Sequence, residues 1–217
     1  MNLVIEGGIL ATDKRNTYIR CLNTKIQKRI IMIKFFSTVF VAILVITIAQ
    51  AQSTSPIDAA KSTVTWTGNK VTGSHTGTIN ISEGSILNKD GRFHGGSFTI
   101  DMTSIANTDL GDKMRAKLEG HLKSDDFFGV ETYPMATLTI TDVKKSGDKY
   151  ELTADLTLKG KTAPITFDAM VTGNTATANI TIDRTVYDVK YGSGKFFEGL
   201  GDKMISDDFE LVVSLVY

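Results

Sequence analysis

The chain has almost no cysteine. Its single thiol, Cys21, lies close to the N-terminus. Everything after it has no disulfide, no thiol nucleophile and no thiolate metal site, so the fold must rest on an apolar core. Net charge is also missing: 24 Lys/Arg stand against 24 Asp/Glu. The balance is uneven, because residues 1–51 hold seven of the basic residues and two of the acidic ones. Residues 52–217 therefore carry 17 basic and 22 acidic side chains, a net −5. A mildly acidic segment lacks the basic footprint of a nucleic-acid binder. The histidines His75, His94 and His121 show no metal-ligand spacing. Lys159-Gly160-Lys161 lacks the glycine spacing and strand-to-helix context of a phosphate loop. The apolar run from Phe35 to Ile48 is shorter than the ~20 residues a spanning helix needs. No repeat is evident beyond a hairpin rhythm.

What is present begins with a leader. From Met32 the chain reads Met-Ile-Lys-Phe-Phe, then an apolar run from Val39 to Ile48, then Ala49-Gln50-Ala51. A positive charge, an apolar core and small residues at −3 and −1 are the parts of a signal peptide. The expected division is 1–31 as a mis-assigned upstream extension, 32–51 as a signal peptide, and 52–217 as one domain of 166 residues. A long n-region or an uncleaved anchor is the alternative. Export makes the working protein periplasmic or secreted.

Residues 52–217 alternate with period 2, the mark of half-buried strands. Val64 and Trp66 form one such run, Ile79 and Ile81 a second, and Phe98, Ile100 and Met102 a third. Leu138 and Ile140 follow, then Leu152, Ala154, Leu156 and Leu158. Ile165, Phe167, Ala169 and Val171 form the next face, Ala176, Ala178, Ile180 and Ile182 another, and Phe209 to Leu215 the last. Threonine fills many outward positions, as suits a β-branched residue. Lys89-Asp90-Gly91, Ser146-Gly147-Asp148, Lys159-Gly160-Lys161 and Gly173-Asn174 are hairpin turns by composition. About eight strands joined by short turns predict an all-β antiparallel meander closed into a barrel, which removes its edges.

Two stretches break the rhythm. Residues 109–123 place Leu110, Met114, Leu118 and Leu122 on one helical face, with Thr108 or Asp109 as the N-cap. Residues 188–204 form a glycine-rich loop around Phe196-Phe197, long enough for a lid or binding loop. His121 has two readings, a charge matched to a helix C-terminus or a ligand contact. Arg184 near a strand end needs either a carboxylate partner or an anionic head group, because an unpaired buried charge is costly. Asp125-Asp126 and Asp207-Asp208 are weak signals for a cation.

These residues also carry a resemblance. His121-Leu-Lys-Ser-Asp-Asp-Phe-Phe128 followed by Tyr133-Pro134 resembles the signature of the YceI-like family. Leu156-Thr-Leu-Lys-Gly160 with Thr162, Pro164 and Ile165 is similar to its second motif. Ile182-Asp-Arg-Thr-Val-Tyr187 and Leu200-Gly-Asp-Lys203 resemble its third and fourth. The likeness runs in order over 56–217. It implies an extended, lipocalin-like eight-stranded antiparallel β-barrel with one inserted α-helix. It further implies an exported, non-enzymatic protein, for which a homodimer is plausible, that binds a long amphiphile: polyisoprenoid, isoprenoid quinone or fatty-acid derivative. No other cofactor and no metal are implied. Lined up with the family, His121, Asp125, Phe127 and Phe128 lie at or support the pocket mouth, and Arg184 lies near the interior. Between the third and fourth motifs this chain carries Tyr191-Gly-Ser-Gly-Lys-Phe-Phe197 in a loop that varies in the family.

The candidate ligand-binding set is thus His121, Asp125, Phe127, Phe128 and Arg184 at the mouth, Phe98, Leu138, Leu156, Phe167 and Ile180 along the tunnel, and Phe196 and Phe197 in the loop. Three functions remain in competition. A binding protein requires an elongated apolar cavity. A lipid-modifying enzyme requires His121 to converge with Asp125 or Asp126. A structural barrel requires a filled core. A membrane-spanning barrel fits poorly, because Thr, Lys and Asp fill the outward faces.

Overall fold

The computed structural model describes residues 20–29 and 52–217. The expected signal peptide, 32–51, lies outside the described residues. Residues 20–29 form a helix, α1, in a unit of its own. The second unit holds nine strands: β1 (Gln52–Pro56), β2 (Thr63–Lys70), β3 (Gly73–Lys89), β4 (Arg92–Asn107), β5 (Met135–Ser146), β6 (Lys149–Leu158), β7 (Lys161–Thr172), β8 (Thr175–Asp183) and β9 (Ile205–Val216). A helix, α2 (Asp112–Lys123), stands between β4 and β5.

Strands β2 to β9 pair antiparallel with their sequence neighbours, and β2 also pairs with β9, so the meander closes into an eight-stranded barrel. The ninth strand, β1, adds to the far half of β3, where Gln52 faces Lys89 and Pro56 faces Ser85. Its residues, Gln-Ser-Thr-Ser-Pro, carry no apolar alternation, which is why the pattern gave no sign of it. The turns behave as their composition predicts. Asp90-Gly91 and Lys159-Gly160 both hold positive φ at their two central residues, the geometry that follows strand twist in a two-residue hairpin.

Two features set the barrel's internal shape. Gly77 lies opposite Trp66 and Asn107. A Cβ there would come within 1.9 Å of the Ala106 carbonyl and 2.5 Å of the Trp66 ring, so only glycine lets the indole lie flat against β3. In β4 the register shifts by several residues between the Thr78↔Ala106 and Asn80↔Asp101 pairs. This bulge is braced by its own side chains. Asp101 accepts from the Thr103 amide at 2.9 Å, and Ser104 Oγ accepts from the Asn80 amide at 2.8 Å. Its effect is to turn both Met102 and Ile105, three residues apart, into the interior. Period-2 reading stops at Met102 for that reason.

Helix α2 departs from the expected cap. Gly111 is its N-cap, with no side-chain hydrogen bond. Asp109 is committed elsewhere: it accepts from His75 Nδ1 at 2.9 Å, from the Thr76 amide at 3.2 Å and from the amide nitrogen of Asn107. Asn107 is buried and in turn accepts from the Leu110 amide at 3.0 Å. This network pins the β4–α2 connection to β3. Along the helix Leu118 and Leu122 pack inward while Met114 is exposed, so the apolar face is narrower than its spacing suggests.

Two expectations follow. Gly77→Ala overpacks the β2–β3 interface and should cost about 3 kcal/mol. Denaturant unfolding followed by Trp66 emission checks it, and a wild-type midpoint would refute the packing account. The hydrogen bond from His75, aided by those from Asn107 and Thr76, holds the Asp109 carboxyl below the usual carboxylate range. A depressed folded-state pKa gives stability that is full above about pH 4 and lost as pH falls through the lowered value. Asp109→Asn should therefore flatten the acid limb of the stability–pH curve, and an unchanged limb would contradict the assignment.

Candidate functional site

The barrel interior is not filled. A cavity of about 200 Å3 runs along it, walled almost wholly by aliphatic and aromatic side chains. On β8 its lining extends from Ala176 to Ile182, which is ~20 Å of strand. Apolar voids of ~150 Å3 already admit a benzene-sized ligand, so a chamber with this lining can take apolar groups.

The walls follow from alternation. Phe98, Leu138, Leu156, Phe167 and Ile180 all line the chamber. So do residues that periodicity marked only as strand faces, including Trp66, Met102 and Val213. Ile105 and Ile205 were missed, one displaced by the bulge and the other first in its strand after a loop.

One end is built differently. After α2 the chain reverses: the Phe128 amide donates to the Leu122 carbonyl at 3.1 Å, and the Gly129 amide to the Ser124 carbonyl at 2.8 Å. The reversal drives Phe127 and Phe128 into the barrel end, where both line the chamber and meet edge to face at 4.9 Å. Behind them sits Arg184, 2 % exposed. Its guanidinium donates to three carbonyls: Val189 at 2.6 Å, Ser206 at 2.8 Å and Ile205 at 3.1 Å. It lies 3.8 Å from Asp207 and 5.5 Å from the Phe127 ring centre. Burial pulls its pKa below the ordinary value, while Asp207 and Asp183 act the other way; a guanidinium remains a cation regardless. Arg184 thus clasps the neck of loop 188–204, joining its first turn to the start of β9.

Charges around the clasp are paired. Lys195 meets Asp183 at 2.9 Å and Asp207 at 3.4 Å. Burial raises the Asp183 pKa, but hydrogen bonds from Thr185 and Lys195 outweigh it and leave the carboxyl below its usual range. Asp207 is therefore an ion partner rather than part of a cation site, and no cluster of metal-ligating side chains occurs among the described residues. Sequence reasoning left that role open because the carbonyl partners come from three separate positions.

Four candidates lie off the chamber wall. The His121 ring stands edge-on to Tyr191 at 4.5 Å and to Phe127 at 5.6 Å. Its Nε2 is buried without a hydrogen-bond partner among the described residues, and no hydrogen bond joins it to Asp125 or Asp126. Asp125 offers its backbone carbonyl to Lys159 Nζ at 2.8 Å. Phe196 and Phe197 are each about half exposed. The convergence that an acid–base pair on His121 and Asp125 would need is not formed.

Arg184→Met should cost about 3–5 kcal/mol, because it strips donors from three carbonyls and leaves the half-buried Asp207 with Lys195 as its remaining cation. Chemical denaturation measures the loss, and trypsin should cut faster at Lys190, Lys195 and Lys203. Wild-type stability and cleavage together would contradict the clasp.

Relatives place the chain. Residues 56–217 match the YceI-like domain. Protein YceI of Escherichia coli O157:H7 is 42% identical over 86 residues, 36% of this chain and 45% of that protein, so the chain spans less than half the length of this curated relative. Burkholderia cenocepacia BcnA superposes with a TM-score of 0.60 at 27% identity, over 74% of this chain and 99% of BcnA. A polyisoprenoid-binding domain from Saccharophagus degradans gives 0.50 at 17% identity over 76% and 97%, a likeness of fold. With its family domain spanning the whole barrel, the chain belongs to the YceI-like family.

Proposed function

We propose that the barrel is a carrier that holds one long-chain amphiphile, a polyisoprenoid, isoprenoid quinone or fatty-acid derivative, within its chamber. The observation that carries this reading is the elongated, apolar cavity itself; a structural barrel would have filled it with side chains. Burial of apolar chain is worth ~25 cal/mol per Å2 and needs no precise polar contact. Phe98, Leu138, Leu156, Phe167 and Ile180 grip the chain, Phe127 and Phe128 close one end, and Arg184 holds that end in shape. Selectivity then rests on length and on the few polar groups beside the clasp. Family membership and the polyisoprenoid-binding neighbour of like fold support the ligand class. The leader at 32–51 supports export to the periplasm or beyond.

Trp66 lines the chamber and is the chain's one tryptophan, so it reports occupancy directly. Titration with a long-chain prenyl quinone should quench its emission to saturation. Ala178→Phe, which fills the mid-wall, should weaken the apparent affinity by about tenfold or more. Equal quenching by the same quinone without its prenyl tail, or no effect of Ala178→Phe, would overturn the reading.

A further inference from the structure

We propose that the α2 end of the barrel is a docking face for a lipid bilayer, with the tip of loop 188–204 seated in the interfacial layer. Strand direction sorts the connections: turn 71–72, α2, turn 124–134, turn 159–160 and loop 184–204 share one end, while turns 90–91, 147–148 and 173–174 share the other. Most exposed large apolar side chains of the loops are sorted the same way, while Met170 and Val212 stand on the outer wall toward the other end, where the 57–62 connection also lies. Val71, Val186, Tyr191, Phe196, Phe197 and Met204 stand at the α2 end, each 40–55% exposed. The opposite turns are Asp90-Gly91, Gly147-Asp148 and Gly173-Asn174, without one apolar side chain.

Three contacts tie parts of this surface together. The Val71 amide donates to the Met204 carbonyl at 3.2 Å. The Met204 sulfur lies so close over Gly194 that a Cβ there would meet it at 2.8 Å. Lys190 Nζ sits 5.1 Å from the Phe196 ring centre.

Charge selects the occupant. Two cations beside the aromatic tip are compensated, Lys190 by Asp188 at 2.6 Å and Lys195 by Asp183 and Asp207, while the exposed Lys70 and Lys203 share the patch with the acidic Glu198 and Asp202, so it carries charges of both signs. Such a surface offers little to a strongly acidic protein or a nucleic acid. It matches a zwitterionic headgroup layer, whose own charges are paired, and where Tyr and Phe sit at the boundary while Lys stems reach back to water. Arg184 fixes the loop neck, so the two phenylalanines are presented from a braced base. The chamber lining reaches this same end through Phe127 and Ile205, which puts the docking face where an amphiphile would pass between barrel and bilayer.

The test uses the full chain with vesicles of phosphatidylcholine brominated along the acyl chains. Phe197→Trp places a reporter at the tip, and Asp148→Trp places one at the far end; the wild type, with Trp66 alone, sets the background. The tip reporter should lose about half its emission above background, as expected for a side chain 5–10 Å into the boundary, and the far reporter none. Phe196→Ser with Phe197→Ser should lower vesicle partitioning by about tenfold or more. No quenching at the tip, or equal quenching at both ends, would overturn the proposal. So would partitioning that survives the double substitution, which would place the bilayer contact elsewhere on the chain. Bilayer contact is read apart from chamber occupancy, so this result stands or falls separately from the Trp66 titration.

Discussion

Closure of the sheet is the constraint on which the rest depends. Because β2 pairs with both β3 and β9, the strands of the wall spend their backbone donors and acceptors on one another. The interior is left to side chains alone, and alternation makes one side of every strand apolar. Polar chemistry is pushed to the ends, where the chain turns and unpaired carbonyls appear. An apolar chamber with a polar, irregular rim is the direct outcome.

The α2 end answers for the unpaired groups. Three carbonyls left over where loop 188–204 leaves and rejoins the wall are met by one guanidinium, whose charge is balanced by Asp207. Asn107 and Asp109 do the same for the chain entering α2. Arg184 and Asn107 are buried and both devices hold a loop against the barrel, so the chamber's shape at this end rests on polar contacts as well as on the packing of Phe127 and Phe128. In the middle of the barrel the reverse holds. Gly77 and the β4 bulge shape the interior by steric fit, one admitting the Trp66 ring and the other turning Met102 and Ile105 inward.

The barrel was legible because its signal is local. Strand faces such as Leu152 to Leu158 and Ala176 to Ile182 announce themselves by period, and the two-residue turns by glycine. Eight of the twelve candidate residues line the chamber, because alternation already assigned most of them to the inner face. The remainder depended on long-range geometry. His121, Asp125, Phe196 and Phe197 lie off the wall since helix ends and loops have no period to give their direction. Asp109 looked like a cap from its position before α2, yet its partner His75 comes from β3, 34 residues away. Strand β1 is held by backbone pairing alone and leaves no apolar trace.

The central claim is that the chamber exists to hold one long apolar chain. Native mass spectrometry of the purified protein, with solvent extraction of whatever it retains, addresses this most directly. The account predicts a single bound long-chain species that is released on denaturation and is isoprenoid or fatty-acid in chemistry. A clean unliganded mass that stays unchanged after incubation with isoprenoid quinones, prenyl phosphates and fatty amides would contradict it.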